Sequence, residues 1–227
     1  MEEALKNYDK AILIKPDFAE ALTNRGNALQ ELKLLNQAVA DYDKAIALKP
    51  LYADAFFNRG NALKKLKRLE DALASYDKAI EINPSFVTAH SNRGVVLHDL
   101  MRLAESLDSF DRAITIDPNN AEAHINRGNL LQELKRSEEA LVSFDRAIHI
   151  EPSNASAYFN FGLALQDVNR TTDALASFES AIAIKPDYAE AHSSRGVIFL
   201  KLGFVDEALD CFEKAISINP NYAEAHS

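Results

Sequence analysis

The chain has no tryptophan, one cysteine, seven glycines and seven prolines in 227 residues. Each scarcity excludes something. A lone Cys211 permits no intrachain disulfide, so a reducing compartment is compatible. Seven scattered glycines supply no phosphate-cradling loop, which needs them clustered. No apolar run reaches the ~18 residues of a membrane-spanning helix. Cations are the minority: 25 Lys and Arg against 34 Asp and Glu leave a net charge of −9. That balance offers no basic face to a phosphate backbone and argues against nucleic acid. No secretory leader follows Met1, and a cytoplasmic location is the expectation. Asn154-Ala155-Ser156 and Asn169-Arg170-Thr171 fit a glycosylation pattern and are read as chance matches.

The scarce residues are periodic. Prolines fall at 16, 50, 84, 118, 152, 186 and 220, each step being 34. Six of the seven glycines, Gly26, Gly60, Gly94, Gly128, Gly162 and Gly196, repeat with the same step. So do seven Ala-Ile pairs from Ala11 to Ala215, each alanine preceded at three residues by Tyr8, Tyr42, Tyr76, Phe110, Phe144, Phe178 or Phe212. Numbering unit positions 1 to 34 from Ala19 gives full units 19–52, 53–86, 87–120, 121–154, 155–188 and 189–222. A half unit, 1–18, precedes them and a stub, 223–227, follows.

Each unit carries two apolar patterns of helical period, over positions 1–14 and about 18–31, and the proline at position 32 ends the second. The short break between them suits an antiparallel helix pair. A 34-residue unit is too small to fold alone, and stacked neighbours supply the missing core. Glycine costs a helix roughly 1 kcal/mol relative to alanine, so one at position 8 of every first helix implies close approach of the second.

In period and in the Gly128, Ala140, Phe144, Ala147 and Pro152 pattern, the whole chain resembles the tetratricopeptide repeat family. The resemblance implies an all-α, right-handed superhelical solenoid of stacked antiparallel helix pairs in a single array, 1–227. Departures are modest: no tryptophan, arginine at position 7 where leucine is usual, and Ser106 in place of a small alanine.

On a helical wheel of the first helix, positions 3, 4, 7, 8, 10, 11 and 14 share the packed side, and 2, 6, 9 and 13 the opposite, mostly polar side. The resemblance implies that this polar side lines the concave groove. Arg25, Arg59, Arg93, Arg127 and Arg195 at position 7 lie on the packed side and need partners. The best are the acids at position 25 of a second helix, Asp43, Asp77, Asp111, Asp145, Glu179 or Glu213. A ligand-binding role is the other reading of these arginines.

Position 6 is Asn24, Asn58, Asn92, Asn126 and Asn160 in five consecutive units, and position 9 adds Asn27, Asn61 and Asn129. Asparagine is a mediocre helix former, but its amide donates and accepts together, matching a peptide group. These residues form a candidate ladder for an extended, neutral or basic peptide, repeat wording kept by duplication being their other reading. The ladder resembles the asparagine-lined groove in the repeat region of O-linked N-acetylglucosamine transferases. Phe57 and Phe159, at position 5 on the groove edge, are candidate anchors, contact with the next helix pair being their other reading. Positions 2 and 13 carry nine acids against Lys65 and Lys201. That balance excludes the carboxylate clamp of some chaperone-binding relatives, which needs cations there.

No catalytic constellation is visible, and no cofactor or metal site is expected. His90, His124 and His192 recur at position 4, and the nearest two, His90 and His124, stand one helix-pair thickness or roughly 20 Å apart, too far for a shared metal. Cys211 reads as a partly buried structural thiol. Three functions stay open. The first is a non-catalytic protein-interaction scaffold. The second is the substrate-recruiting part of a larger enzyme such as a protein glycosyltransferase. The third is a spacer or end-to-end self-assembly module. The ends lack obvious polar caps and suggest a fragment of a longer array.

Overall fold

The computed structural model describes residues 2–220, with side chains from residue 3. The stub 223–227, including Glu224 and His226, lies outside the described residues. Those described form thirteen α-helices and no strand, in two compact units, one ending at Pro118 and one beginning at Asn119.

The first unit holds α1 (Glu2–Ile14), α2 (Ala19–Glu31), α3 (Leu35–Leu48), α4 (Ala53–Lys65), α5 (Leu69–Ile82), α6 (Val87–Asp99) and α7 (Leu103–Ile116). The second holds α8 (Ala121–Glu133), α9 (Ser137–Ile150), α10 (Ala155–Asp167), α11 (Thr171–Ile184), α12 (Ala189–Leu202) and α13 (Val205–Ile218). Within each unit every even-numbered helix packs on the odd-numbered helix that follows it. Successive pairs stack: α3 on α4 and α5 on α6 in the first unit, α9 on α10 and α11 on α12 in the second.

The boundaries have local causes. Residues before proline are pushed out of the helical region. Lys49, Asn83 and Asp117 accordingly sit at φ −135°, −129° and −128° and end α3, α5 and α7. The first helices stop differently. Position 15 is left-handed in all six full units: Lys33, Lys67, Met101, Lys135 and Asn169 have φ near 60°, and Gly203 has 84°. The next amide then donates back to the carbonyl at position 11, as from Arg68 to Leu63 and from Arg136 to Leu131, both at 2.8–3.0 Å. This is the glycine-type helix stop, made five times without glycine.

The core is a row of small and large residues repeated in register. Ala38, Tyr42, Ala62, Leu63, Ala72, Tyr76, Val96 and Leu97 join one cluster through the first unit. The position-8 glycines sit against the ring at position 24. A Cβ on Gly26 would lie 2.6 Å from Tyr42, and one on Gly128 would lie 2.6 Å from Phe144. Ser106 is fully buried in place of alanine and donates to the Gly94 carbonyl at 2.8 Å.

The arginines at position 7 tie successive pairs. Arg25 meets Asp9 at 2.7 Å, Arg59 meets Asp43 and Arg93 meets Asp77 at 2.6 Å, each acid coming from position 25 of the preceding second helix. Each also reaches position 23 of its own pair. Arg25 forks onto buried Asp41, Arg59 donates to Ser75, Arg93 to Ser109 and Arg127 to Ser143. Arg195 donates to the sulfur of buried Cys211 at 3.2 Å, and Phe161 replaces the arginine in α10. Paired charge on both sides raises the Arg25 pKa further, chiefly through the hydrogen bond to Asp41.

Candidate peptide-binding face

The first helices turn one side away from their partners, and the sequence decides what stands on it. Positions 2 and 13 are exposed throughout: Glu20, Asp54, Glu122 and Glu190 near one end, Glu31, Lys65, Asp99, Glu133, Asp167 and Lys201 near the other. The asparagines lie between these two rims. In the first unit Asn24 and Asn27 are exposed on α2, and Asn58, Asn61 and Asn92 are half-buried on α4 and α6. In the second unit Asn126 and Asn160 are half-buried and Asn129 is exposed, on α8 and α10. Each unit thus carries its own polar row.

The rows are not equivalent along their length. The Asn92 amide nitrogen donates to the Asn61 amide oxygen at 2.9 Å, from position 6 of one pair to position 9 of the pair before. Asn160 donates to Asn129 at the same distance. The Tyr42 hydroxyl donates to the Asn27 oxygen at 2.8 Å, and the Tyr76 hydroxyl to the Asn61 oxygen at 2.7 Å. Burial pushes both phenols well above the ordinary tyrosine range, so each stays a protonated donor. Among the described residues the side chains of Asn24, Asn58 and Asn126 make no hydrogen bond and keep both functions of their amides. The tyrosine contacts escaped the sequence reading, which treated position 24 as an aromatic class. Tyr42 and Tyr76 do coincide with Asn27 and Asn61, whereas Phe110, Phe178 and Phe212 accompany Val95, Leu163 and Val197.

The two phenylalanines stand at the margin of these rows with their rings engaged. Phe57 lies 4.8 Å from the Phe86 ring and 6.0 Å from Tyr76. Phe159 lies 5.0 Å from Tyr188 and 5.8 Å from Phe178. Both are half-buried, and the rings they meet lie in their own units, 53–86 and 155–188.

The rim is acidic but partly neutralised. Glu20 pairs with Lys49 at 3.0 Å, and that hydrogen bond lowers its pKa. Asp167 accepts from Gln132 and Ser137. His90 and His192 point away from the row. Each Nε2 donates to the carbonyl of the preceding position-32 proline, Pro84 or Pro186, at 3.0 Å. Among the described residues no three His, Cys, Asp or Glu side chains converge as a metal would require. No described helix is long and apolar enough to cross a membrane.

Stacked helix pairs carrying one polar row per unit define a repeat scaffold of the helix-pair class. The chain belongs to the tetratricopeptide repeat family. One model of that repeat matches residues 53–86, 121–154 and 189–222, and a second matches 1–33, 34–67, 102–135 and 167–203. No curated protein matches the chain. Among solved structures it is similar to YrrB, described as a TPR protein with an unusual peptide-binding site. The two share 30% identity over 82% of this chain and 95% of that one, with a TM-score of 0.69. It is similar in fold to PilF of Pseudomonas aeruginosa at 17% identity, covering 97% of both chains with a TM-score of 0.79. MamA from Desulfovibrio magneticus RS-1 shares the fold at 19% identity, over 75% of this chain and 96% of that one, with a TM-score of 0.69. Tetratricopeptide repeat proteins mediate protein–protein interaction, and they are typically non-catalytic scaffolds.

Proposed function

We propose that the chain is a non-catalytic interaction scaffold that binds an extended, neutral or basic peptide segment along its asparagine rows. The observation carrying this reading is the recurrence of a carboxamide at position 6 of α2, α4, α6, α8 and α10 on a side turned from the core. An amide offers a donor and an acceptor to each peptide group, so it holds backbone without demanding particular side chains. Acids on both rims favour a segment without negative charge. The peptide-binding site of YrrB, at 30% identity, supports the same reading. Net hydrogen bonds of about 0.5–1.5 kcal/mol each, less ordering costs, make micromolar affinity about the tightest to be expected.

The test is selection of random 15-residue peptides displayed on phage, on wild type and on the triple variant Asn58→Ala, Asn92→Ala, Asn126→Ala. The variant must keep its helical circular dichroism and melting profile. Enrichment of non-acidic peptides on wild type, lost on the variant, is the expected result. Equal selection by both proteins, or by neither, overturns the reading in favour of a spacer or a site elsewhere.

A further inference from the structure

Three asparagines of the first unit, Asn27, Asn61 and Asn92, are not freely turning amides, and their orientation has a cause. Asn61 Oδ1 accepts from the Tyr76 hydroxyl at 2.7 Å and from Asn92 Nδ2 at 2.9 Å. A carbonyl oxygen has two lone pairs, so this one is saturated. What Asn61 has left is its NH2, a donor, and what Asn92 keeps is its Oδ1, an acceptor, together with the second N–H of its amide. Across one step of the stack the two residues therefore show a donor beside an acceptor. Asn27 begins the same way, its oxygen taken by Tyr42 at 2.8 Å and its NH2 left over.

The hydroxyls are not there for packing. The rings of Tyr76 and Phe144 occupy the same seat, their Cε1 atoms 2.7 Å and 2.6 Å from the Cβ that Gly60 and Gly128 lack. Phenylalanine fills that seat in the four units where the ring is Phe110, Phe144, Phe178 or Phe212. In three of those four, position 9 is Val95, Leu163 or Val197 and has no amide to orient. Tyrosine stands opposite Asn27 and Asn61, whereas Asn129 faces Phe144 and has only the Asn160 amide on its oxygen. Both tyrosines are fully buried, so an unbonded hydroxyl there would be costly, and the bond to the asparagine oxygen is enforced.

We propose that Tyr42 and Tyr76 are positioning residues of the peptide site. They fix the Asn27 and Asn61 carboxamides with oxygen inward and NH2 outward, so that Asn61 and Asn92 together form a preset receptor for one peptide group or one side-chain carboxamide. This rests on the reading of the asparagine rows as a peptide site. The receptor discriminates by charge type. A carboxylate presents only acceptors and meets the Asn92 oxygen with a like dipole, and an ammonium presents only donors and meets the Asn61 NH2. A peptide group or the amide of an Asn or Gln side chain satisfies both. The preset geometry also removes the ordering cost that a free amide bears on binding.

The decisive variant is Tyr76→Phe, with Asn61→Ala and the double variant alongside. The probe is a 15-residue peptide selected on wild type from the phage library. Because phenylalanine is native to the seat in other units, Tyr76→Phe is expected to leave the melting profile unchanged. It is expected to weaken the selected peptide about threefold to tenfold by calorimetry. In the Asn61→Ala background it is expected to change nothing. In 15N-labelled protein without peptide, the Asn61 side-chain NH2 is expected to be ordered in wild type and to fall below an order parameter of about 0.6 in Tyr76→Phe. Unchanged affinity in Tyr76→Phe, or an equal loss with and without Asn61, overturns the positioning role while leaving the peptide site standing. An unchanged Asn61 order parameter overturns it as well. A library that yields no peptide on wild type overturns both together.

Discussion

Gly128 is the sharpest mechanical test of the stacking. A Cβ added there would lie 2.6 Å from Phe144 Cε1, 2.7 Å from Cζ and 2.9 Å from Cδ1. Carbon atoms rest about 3.5–4.0 Å apart, so the ring would have to retreat by roughly 1 Å. It has nowhere to go: Phe144 is fully buried in a core packed to crystal density. Overpacking of this kind costs about 1–3 kcal/mol, and a rigid ring met face to edge belongs at the upper end. Alanine gains back about 1 kcal/mol of helix propensity. Gly128→Ala is therefore expected to lose about 1–2 kcal/mol. The assay is urea unfolding followed by helical circular dichroism, with midpoint and slope read separately, because repeat arrays can depart from two-state behaviour. Pairing it with Phe144→Leu makes the test one of sign. With the ring gone, Gly128→Ala is expected to be neutral or stabilising. A Gly128→Ala protein more stable than wild type would refute the reasoning, since propensity alone would then govern the position.

Three further outcomes follow from other parts of the fold. Met101 holds a left-handed φ of 59°, so Met101→Gly is expected to raise the urea midpoint by the equivalent of about 0.5–1 kcal/mol, while Gly203→Ala lowers it. Arg25→Leu leaves Asp41, 3% exposed, without its partner. It is expected to cost about 2–3 kcal/mol, less than a fully buried pair because Arg25 is partly solvated. Adding Asp41→Ser, the residue that stands at Ser75, Ser109 and Ser143, is expected to recover most of that loss in the same assay. Burial, assisted by Arg195 and Lys214, holds the His192 pKa below its ordinary value, and its Nδ1 is buried without a partner. The unfolded chain therefore binds this proton more readily. Stability from this residue is full above about pH 6.5 and is lost as pH falls through the folded value. His192→Gln, which keeps a donor for the Pro186 carbonyl, is expected to flatten the fall of melting temperature between about pH 7.5 and pH 5.

The helix pairs were legible because their punctuation is chemically unambiguous: Pro50 or Pro118 can end a helix and Gly60 or Gly128 can bring two together. The left-handed stop at position 15 was hidden because Lys33, Lys67, Met101 and Lys135 hold it against their own preference, with Asn169 alone among the five suited to it. Only Gly203, the glycine outside the 34-residue series, advertises it. A partner acid for Arg59 and Arg93 could be foreseen from charge. That it comes from the preceding pair, and that Ser75 and Ser109 share the guanidinium, depends on the offset between stacked pairs, which spacing within one unit does not encode. The asparagine rows were visible as residues but not as hydrogen-bonded amides, because the hydroxyls that Asn27 and Asn61 accept from belong to Tyr42 and Tyr76 on the neighbouring helix.

The most direct measurement is a footprint on the amides themselves. A 15-residue peptide from the selection is titrated into 15N-labelled protein while the side-chain NH2 resonances are followed. A peptide site on the asparagine rows predicts that the resonances that move belong to Asn24, Asn27, Asn58, Asn61 and Asn92 in the first unit or to Asn126, Asn129 and Asn160 in the second, those of one unit saturating together. Movement confined to other residues, with these asparagines unmoved at saturation, would contradict it.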